Sequence, residues 1–384
     1  MEISNSIKYV GVFDNNIDLF EGQYKVSNGI SYNSYLIIDE KIAVMDSVDK
    51  DFGKEWLANI KKILGDKSPD YLVVHHMEPD HSANIVSFVS AYPNAKIVSS
   101  AKAFAMMKNF FATDFPEKQI VVKEGDTLSL GSHELTFIAA PMVHWPEVIM
   151  TYDAKEKTIF TADGFGKFGP CDLLDGWVDE ARRYYIGIVG KYGAQVQSLL
   201  KKASALPIER ICPLHGPVLN ENITYYLDLY NKWSSYTPED DGILLAYASI
   251  YKNTEAAVMK LAEMLSEKGA KNVTVRDLAR CDMSEAVSLA FKYPKTVFAS
   301  PTYNADVFPF MKEFINHLTE RNFSSRTVGF IENGSWAPMA AKVMKGMLEN
   351  SKNLTYLNTT VKITSAIDDR SAEELNALAN ELCE

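Results

Sequence analysis

The strongest constraint on this chain is a six-residue run, His76-Met77-Glu78-Pro79-Asp80-His81, set directly behind the apolar stretch Tyr71-Leu72-Val73-Val74-His75. Four side chains able to ligate a metal thus fall at the expected end of a β-strand, where a loop can fold them around one point. A solvated face would not concentrate two imidazoles and two carboxylates in this way. Three further candidates stand at comparable strand ends: His144 in MVHWPE, Asp163 in FTADGFG and His215 in CPLHGP. Any one of these histidines alone would be an ordinary hydrogen-bonded core or surface residue. Together the seven make a ligand set large enough for two metals. His75 should point away from His76 if the strand continues to that position, which makes it structural or a supporting neighbour. His133 and His317 lie in polar surroundings and are expected to be ordinary.

Three carboxylates with four imidazoles suit iron or manganese without excluding zinc, whereas thiolate-rich sets favour zinc or iron-sulfur clusters. A carboxylate such as Asp163 can bridge two cations and offset part of their repulsion, leaving open positions for a diatomic between them. The four cysteines, Cys171, Cys212, Cys281 and Cys383, form no C-x-x-C pair. A rubredoxin-type iron, a structural zinc and a disulfide scaffold are therefore disfavoured.

At 384 residues and 47% hydrophobic content the chain is too long for one ordinary core, so two globular domains are expected. The first part reads as short β-rich runs with interspersed helices: YLIIDEKIAVMDS (35–47), DYLVVHH (70–76), KIVSS (96–100), ELTFIAA (134–140), EVIMTYD (147–153), KTIFTAD (157–163) and ERICPLH (209–215). The polar stretch SSYTPEDD (234–241) suits a linker, and the domains are expected over 1–238 and 239–384. Beyond it strands alternate with helices such as TEAAVMKLAEMLSEKG (254–269): GILLAYAS (242–249), VTVRDLA (273–279), TVFAS (296–300), RTVGFIE (326–332) and TTVKI (359–363). Five strands with intervening helices imply an α/β fold with a doubly wound parallel sheet. No internal repeat or low-complexity tract relates the two halves.

A net charge of -11 argues against nucleic acid and anionic lipid as partners. The start, MEISNSIKYVGVFDNN, lacks the features of a signal peptide, and no later apolar run approaches membrane-spanning length. A soluble, cytoplasmic protein with no membrane partner is the expectation.

The segments H-x-E-x-D-H, HWP, ADGFG and HGP, in this order, resemble the metallo-β-lactamase-type domain of the flavodiiron proteins. Hydrolases of that fold usually carry H-x-H-x-D-H, so Glu78 points away from them. The resemblance implies an αββα sandwich with His76, Glu78 and His144 on one iron, Asp80, His81 and His215 on the other, and Asp163 bridging. Glu78 and Asp163 are the expected catalytic residues, whose loss should abolish turnover.

The second half carries a matching signal. Ser249-Ile250-Tyr251-Lys252-Asn253-Thr254 follows an apolar strand and opens a helix, so its hydroxyls and N–H groups can receive a phosphate at the positive helix end. Such a loop alone is also what an ordinary helix cap looks like. Ser300-Pro301-Thr302-Tyr303-Asn304 after the third strand and Glu332-Asn333-Gly334-Ser335-Trp336 after the fourth reinforce it. These loops border the switch-point crevice of a flavodoxin-like sheet, with Tyr303 and Trp336 placed to flank an isoalloxazine ring. FMN is the expected cofactor. Lys252 stands where flavodoxin-like domains usually have glycine, and Ala337-Pro338 where related flavodiiron proteins are often richer in glycine.

The resemblance spans nearly the whole chain and implies an oxygen or nitric oxide reductase carrying FMN and two non-haem irons. Dioxygen would go to water and nitric oxide to nitrous oxide, with electrons from a separate carrier, rubredoxin being the expected one. It further implies a head-to-tail homodimer and leaves open the pairing of dimers into tetramers. Asn28 falls where relatives often place a histidine beside the irons. Among the tyrosines of ARRYYIGIVGKYG, Tyr192 is the one considered for the pocket, against the simpler reading of an amphipathic helix packing its aromatics. Two rival readings stand beside this one. One is a binuclear zinc hydrolase with a regulatory flavin domain, the other a non-catalytic flavin electron carrier with a structural metal.

Overall fold

The structure, a computed structural model, describes residues 3–384. They form two compact units, divided between Asn231 and Lys232. That division falls inside the helix Ile223–Ser234, ahead of the 238/239 junction expected from the polar stretch. Among the described residues no helix is long and apolar enough to cross a membrane.

The first unit contains two large sheets and two two-stranded ones. One large sheet runs in the order Ile7–Tyr9, Tyr35–Ile38, Ile42–Met45, Tyr71–Val73, Lys96–Ser99, Gln119–Val121. The other runs Thr127–Ser129, Glu134–Ala139, Ile149–Asp153, Thr158–Phe160, Arg210–Cys212. Period-two alternation gives each strand of the first sheet two different neighbours. Tyr35, Ile37, Ala43, Met45, Tyr71 and Val73 join Phe137, Ile149, Phe160 and Cys212 of the second sheet in one core. Leu36, Val44, Leu72 and Ile97 face the other way, onto Trp56 and Ile60 of the helix Gly53–Leu64, Phe88 of Ile85–Ala91 and Met107 of Ala101–Phe111. The result is the sandwich of two sheets with outer helices that the sequence resemblance implies. The run 35–47 contains two antiparallel strands, Tyr35–Ile38 and Ile42–Met45, around a tight turn. A short hairpin, Leu19–Phe20 with Tyr24–Lys25, has no counterpart among the expected strands.

Parallel pairing decides where the site sits. Ile42–Met45, Tyr71–Val73 and Lys96–Ser99 run parallel, as do Thr158–Phe160 and Arg210–Cys212. Their carboxyl ends therefore emerge at one edge of each sheet, and the loops carrying His76, Asp163 and His215 leave from those ends.

The second unit is built on a parallel sheet in the order Val273–Asp277, Ile243–Tyr247, Lys295–Tyr303, Thr327–Asn333, Thr355–Ile363, the strand that comes first in sequence lying second. All five match the expected strands. The order reverses between Ile243–Tyr247 and Lys295–Tyr303, which opens a crevice at their carboxyl ends. The helices Asn253–Glu267 and Asp369–Cys383 cover one face through Leu261, Leu265, Leu375 and Leu378.

One buried amide joins the sheets at the site edge. Asn33 Nδ2 donates to the carbonyls of Pro213 and Gly216, both at 2.8 Å, and its Oδ1 accepts from Tyr9 at 3.0 Å. These bonds fix the loop that carries His215. Asn33→Ala leaves the Gly216 carbonyl and the Tyr9 hydroxyl without these partners and is expected to destabilise the first unit by about 2 kcal/mol. The urea midpoint followed by near-ultraviolet circular dichroism measures this, and an unshifted midpoint would show that water replaces the amide.

Candidate metal centre

The six-residue run folds as sharply as its composition demands. After Tyr71–Val73 the chain turns at His76, and Glu78 precedes a single helical turn, Pro79–Ser82, with proline at its first position. Asp80 and His81 lie within that turn and are buried. His75 points away from His76, as strand alternation requires. Its ring is held between Asp46 and the Thr151 hydroxyl, the latter at 2.7 Å.

All seven expected ligands come together, in two clusters: His76, Glu78, His144 and Asp163, and Asp80, His81 and His215. In the first, His76 Nε2 lies 3.3 Å from His144 Nε2 and 3.2 Å from Glu78 Oε2. His144 Nε2 is 3.1 Å from both Glu78 Oε2 and Asp163 Oδ2. In the second, His81 Nε2 lies 3.0 Å from His215 Nε2 and 3.2 Å from Asp80 Oδ2. Asp163 divides its two oxygens. Oδ2 faces His76 and His144, while Oδ1 lies 3.3 Å from His81 and 3.8 Å from His215.

These spacings fit cations. Ligands about 2.1 Å from one ion at octahedral to tetrahedral angles are about 3.0–3.4 Å apart. Within the protein alone the arrangement is unsatisfied: both Asp80 carboxylate oxygens and Asp163 Oδ1 are buried without a hydrogen-bond partner. The far sides of two imidazoles are fixed in the matching sense. His76 Nδ1 bonds Glu147 Oε1 at 2.8 Å and His215 Nδ1 bonds the Ser31 carbonyl at 2.7 Å. Each such bond places the ring proton on Nδ1 and turns the Nε2 lone pair into the cluster.

Electrostatics tell the same story. Burial opposes charging of His76, but Asp163, Glu147 and Glu78 outweigh it and hold its pKa well above the ordinary imidazole value. His144 responds likewise, burial being overcome by Asp163 and Glu78, and rises to about 9. Burial would raise Asp163, yet His76, His144 and His81 hold it well below the usual carboxylate range. The cluster demands positive charge, which protons supply in the metal-free protein.

Three residues near the cluster escape the sequence reading. Glu147, three positions after His144 in the HWPE segment, is fully buried and also accepts from the Met77 amide at 2.9 Å. Tyr184, rather than Tyr192, packs against the cluster, its ring 5.5 Å from that of His215. Its hydroxyl is buried without a hydrogen-bond partner, and burial followed by the charges of Asp163, Glu78 and Asp80 holds its pKa well above the ordinary phenol value. Tyr192 instead precedes the helix Gly193–Ala203. Glu21, exposed at the tip of the short hairpin, accepts from Gln23 Nε2 at 3.1 Å, and partial loss of solvent around its carboxyl followed by the neighbouring Glu78 carboxylate pushes it up to about 7. Asn28 is exposed and lies beside Gly169. The Tyr-Tyr pair of the ARRYY segment was the available signal for Tyr184. Nothing in the local pattern marks Glu21.

In the second unit, a cavity of about 560 Å³ opens at the crevice of the parallel sheet. Of the expected residues, Ser249, Ile250, Tyr251, Asn253 and Thr254 line it from the first loop. Pro301, Thr302, Tyr303 and Asn304 line it from the second, and Asn333, Gly334, Ser335 and Trp336 from the third. Three do not. Lys252 adopts a left-handed conformation (φ 69°) at the helix start, Ser300 Oγ accepts from the Phe308 amide, and Glu332 accepts from the Ala341 amide at 3.0 Å. Ala305, Ala337, Met339 and Ser365 complete the wall. Hydroxyls and a helix amino terminus at one end, with the exposed rings of Tyr251 and Trp336 at the rim, suit a planar aromatic ligand with an anionic tail.

The model of the ODP family beta lactamase matches residues 30–216. An uncharacterized protein of Methanocaldococcus jannaschii is 30% identical over 91% of this chain and 89% of its own. The anaerobic nitric oxide reductase flavorubredoxin of Salmonella arizonae is 29% identical over 91% of this chain and 75% of its own. Among solved structures, rubredoxin oxygen:oxidoreductase from Desulfovibrio gigas superposes with a TM-score of 0.92 at 25% identity, covering 100% of this chain and 97% of that one. The flavodiiron protein from Giardia intestinalis does so at 0.91 and 24% identity, over 99% and 96% of the two chains. With both units matched in order from end to end, the chain belongs to the flavodiiron protein family.

Proposed function

We propose that this chain reduces dioxygen to water or nitric oxide to nitrous oxide at two non-haem irons, with electrons received through FMN. The observation that carries this reading is the division of Asp163 between two ligand clusters, three carboxylates to four imidazoles in all. His76, Glu78 and His144 would hold one iron, Asp80, His81 and His215 the other, and Asp163 both. FMN would occupy the cavity of the second unit. The metal-binding domain is assigned to 1–238 and the FMN domain to 239–384. When bound, a ferrous pair supplies two electrons to one diatomic site, and the flavin supplies electrons singly.

The protein's own residues prepare that site. Glu147 and the Ser31 carbonyl orient His76 and His215 and raise their basicity. Phe20, Tyr32 and Tyr184 surround the His215 ring at 5.4, 5.9 and 5.5 Å and restrict water. The Tyr184 hydroxyl, buried without a protein partner beside His215, is the donor available to hydrogen-bond an oxygen atom of the substrate.

The Desulfovibrio gigas relative is named for rubredoxin and oxygen, and the Salmonella arizonae relative for nitric oxide and a flavorubredoxin. Those names support a rubredoxin-type donor and both gases for this chain. A head-to-tail homodimer in the cytoplasm completes the reading, and the exposed Tyr251 and Trp336 rings at the cavity mouth suit a surface that meets another protein.

Iron-loaded, FMN-loaded protein given reduced rubredoxin is expected to consume dioxygen or nitric oxide at an electrode, without releasing peroxide. Consumption of neither gas, with ester turnover by the zinc form, would favour the hydrolase instead. Asp163→Ala and Glu78→Ala are expected to lower iron content and abolish turnover while flavin absorbance stays intact. Thr254→Ala should do the reverse, releasing FMN with iron unchanged, and gas reduction unchanged in both ligand variants would remove the ligand assignment.

A further inference from the structure

The helix Trp177–Tyr184 does not continue regularly. At Tyr185–Val189 it widens into a π-turn, immediately after Tyr184, whose ring packs on His215 and whose buried hydroxyl has no partner. A π-turn inserts one residue into the helical repeat, so it rotates the preceding turns relative to the later ones, and it is rarely retained without a compensating contact. Here the contact comes from the short hairpin. The Tyr24 hydroxyl donates to the Gly187 carbonyl, in the middle of the π-turn, at 2.8 Å.

Only glycine permits this approach. A Cβ at position 187 would stand 2.9 Å from Cε1 and Cζ of the Tyr24 ring, which is itself buried. A second bond fixes the same strand of the hairpin, Arg183 Nη1 donating to the Lys25 carbonyl at 3.0 Å. Phe168 fills the space between the two tyrosines, 5.9 Å from Tyr24 and 5.2 Å from Tyr184. From the other strand, Phe20 contacts Tyr184 at 6.2 Å and His215 at 5.4 Å. Tyr184 itself has no hydrogen bond to hold its hydroxyl in place. Its direction is set by the helix register and by this aromatic packing.

We propose that Tyr24 and Gly187 are positioning residues, locking the π-turn so that the Tyr184 hydroxyl points at the metal pair. This rests on the donor role given to Tyr184 above. Neither Tyr24 nor Gly187 belongs to the ligand set, and they act only through the helix.

The test uses iron- and FMN-loaded protein and a double-mutant cycle. Tyr184→Phe is expected to lower turnover by about 100-fold, as for loss of one preorganised donor, and Tyr24→Phe by about tenfold, as for a small displacement of that donor. The double variant should be no slower than Tyr184→Phe alone, because Tyr24 has nothing left to position. Independently of turnover, 3-fluorotyrosine placed at position 184 reports its surroundings by fluorine NMR in the zinc-loaded protein. Its resonance is expected to shift in Tyr24→Phe and to shift or broaden further in Gly187→Ala, with metal content unchanged. Multiplied losses in the double variant, an unmoved resonance, or loss of metal from Tyr24→Phe would each overturn the proposal. Full activity in Tyr184→Phe would overturn the donor role instead, and the resonance would still decide whether Tyr24 sets the position of that ring.

Discussion

A buried carboxylate that cannot satisfy itself organises the first unit. Asp163 sits at the end of Thr158–Phe160 with one oxygen turned to each of two clusters, surrounded by imidazole nitrogens at hydrogen-bond distance. Seven ionisable groups packed this closely would be prohibitive for a folded protein if all kept their solution charges. The cluster is tolerable only when positive charge is supplied, by protons on the histidines or by cations at the shared focus. The supporting features answer that demand: Glu147 behind His76, the Ser31 carbonyl behind His215, and Asn33 beneath the loop that delivers His215.

Much of this was legible in the residues. Apolar runs of four to six residues ending in His or Asp marked the strands and the edge at which their side chains meet, because parallel strands must end together and ligands must converge. The three loops that line the cavity of the second unit were equally readable, since each follows a strand of the doubly wound sheet. Ser300 and Glu332 fell outside the cavity because both turn back onto neighbouring backbone amides, a local preference that a loop's composition does not reveal.

What stayed hidden depends on contacts distant in sequence. The hairpin Leu19–Lys25 is too short and too mixed to show strand periodicity, yet it brings Phe20 onto His215, Glu21 near Glu78 and Tyr24 onto the π-turn beside them. The choice of Tyr184 over Tyr192 turns on a π-turn, which shifts helical register by an amount no residue pattern encodes. Asn28, three residues past the same hairpin, is exposed beside Gly169.

The order of the ligands along the chain bears on how such a centre is assembled during synthesis. His76, Glu78, His144 and Asp163 all lie upstream of His215, which meets His81 across 134 residues. A chain emerging from the ribosome can close the first cluster while the second still lacks one of its imidazoles. Until His215 arrives, Asp80 and His81 hold an incomplete set. The last strand of the second sheet, Arg210–Cys212, thereby delivers the side chain that completes the second cluster.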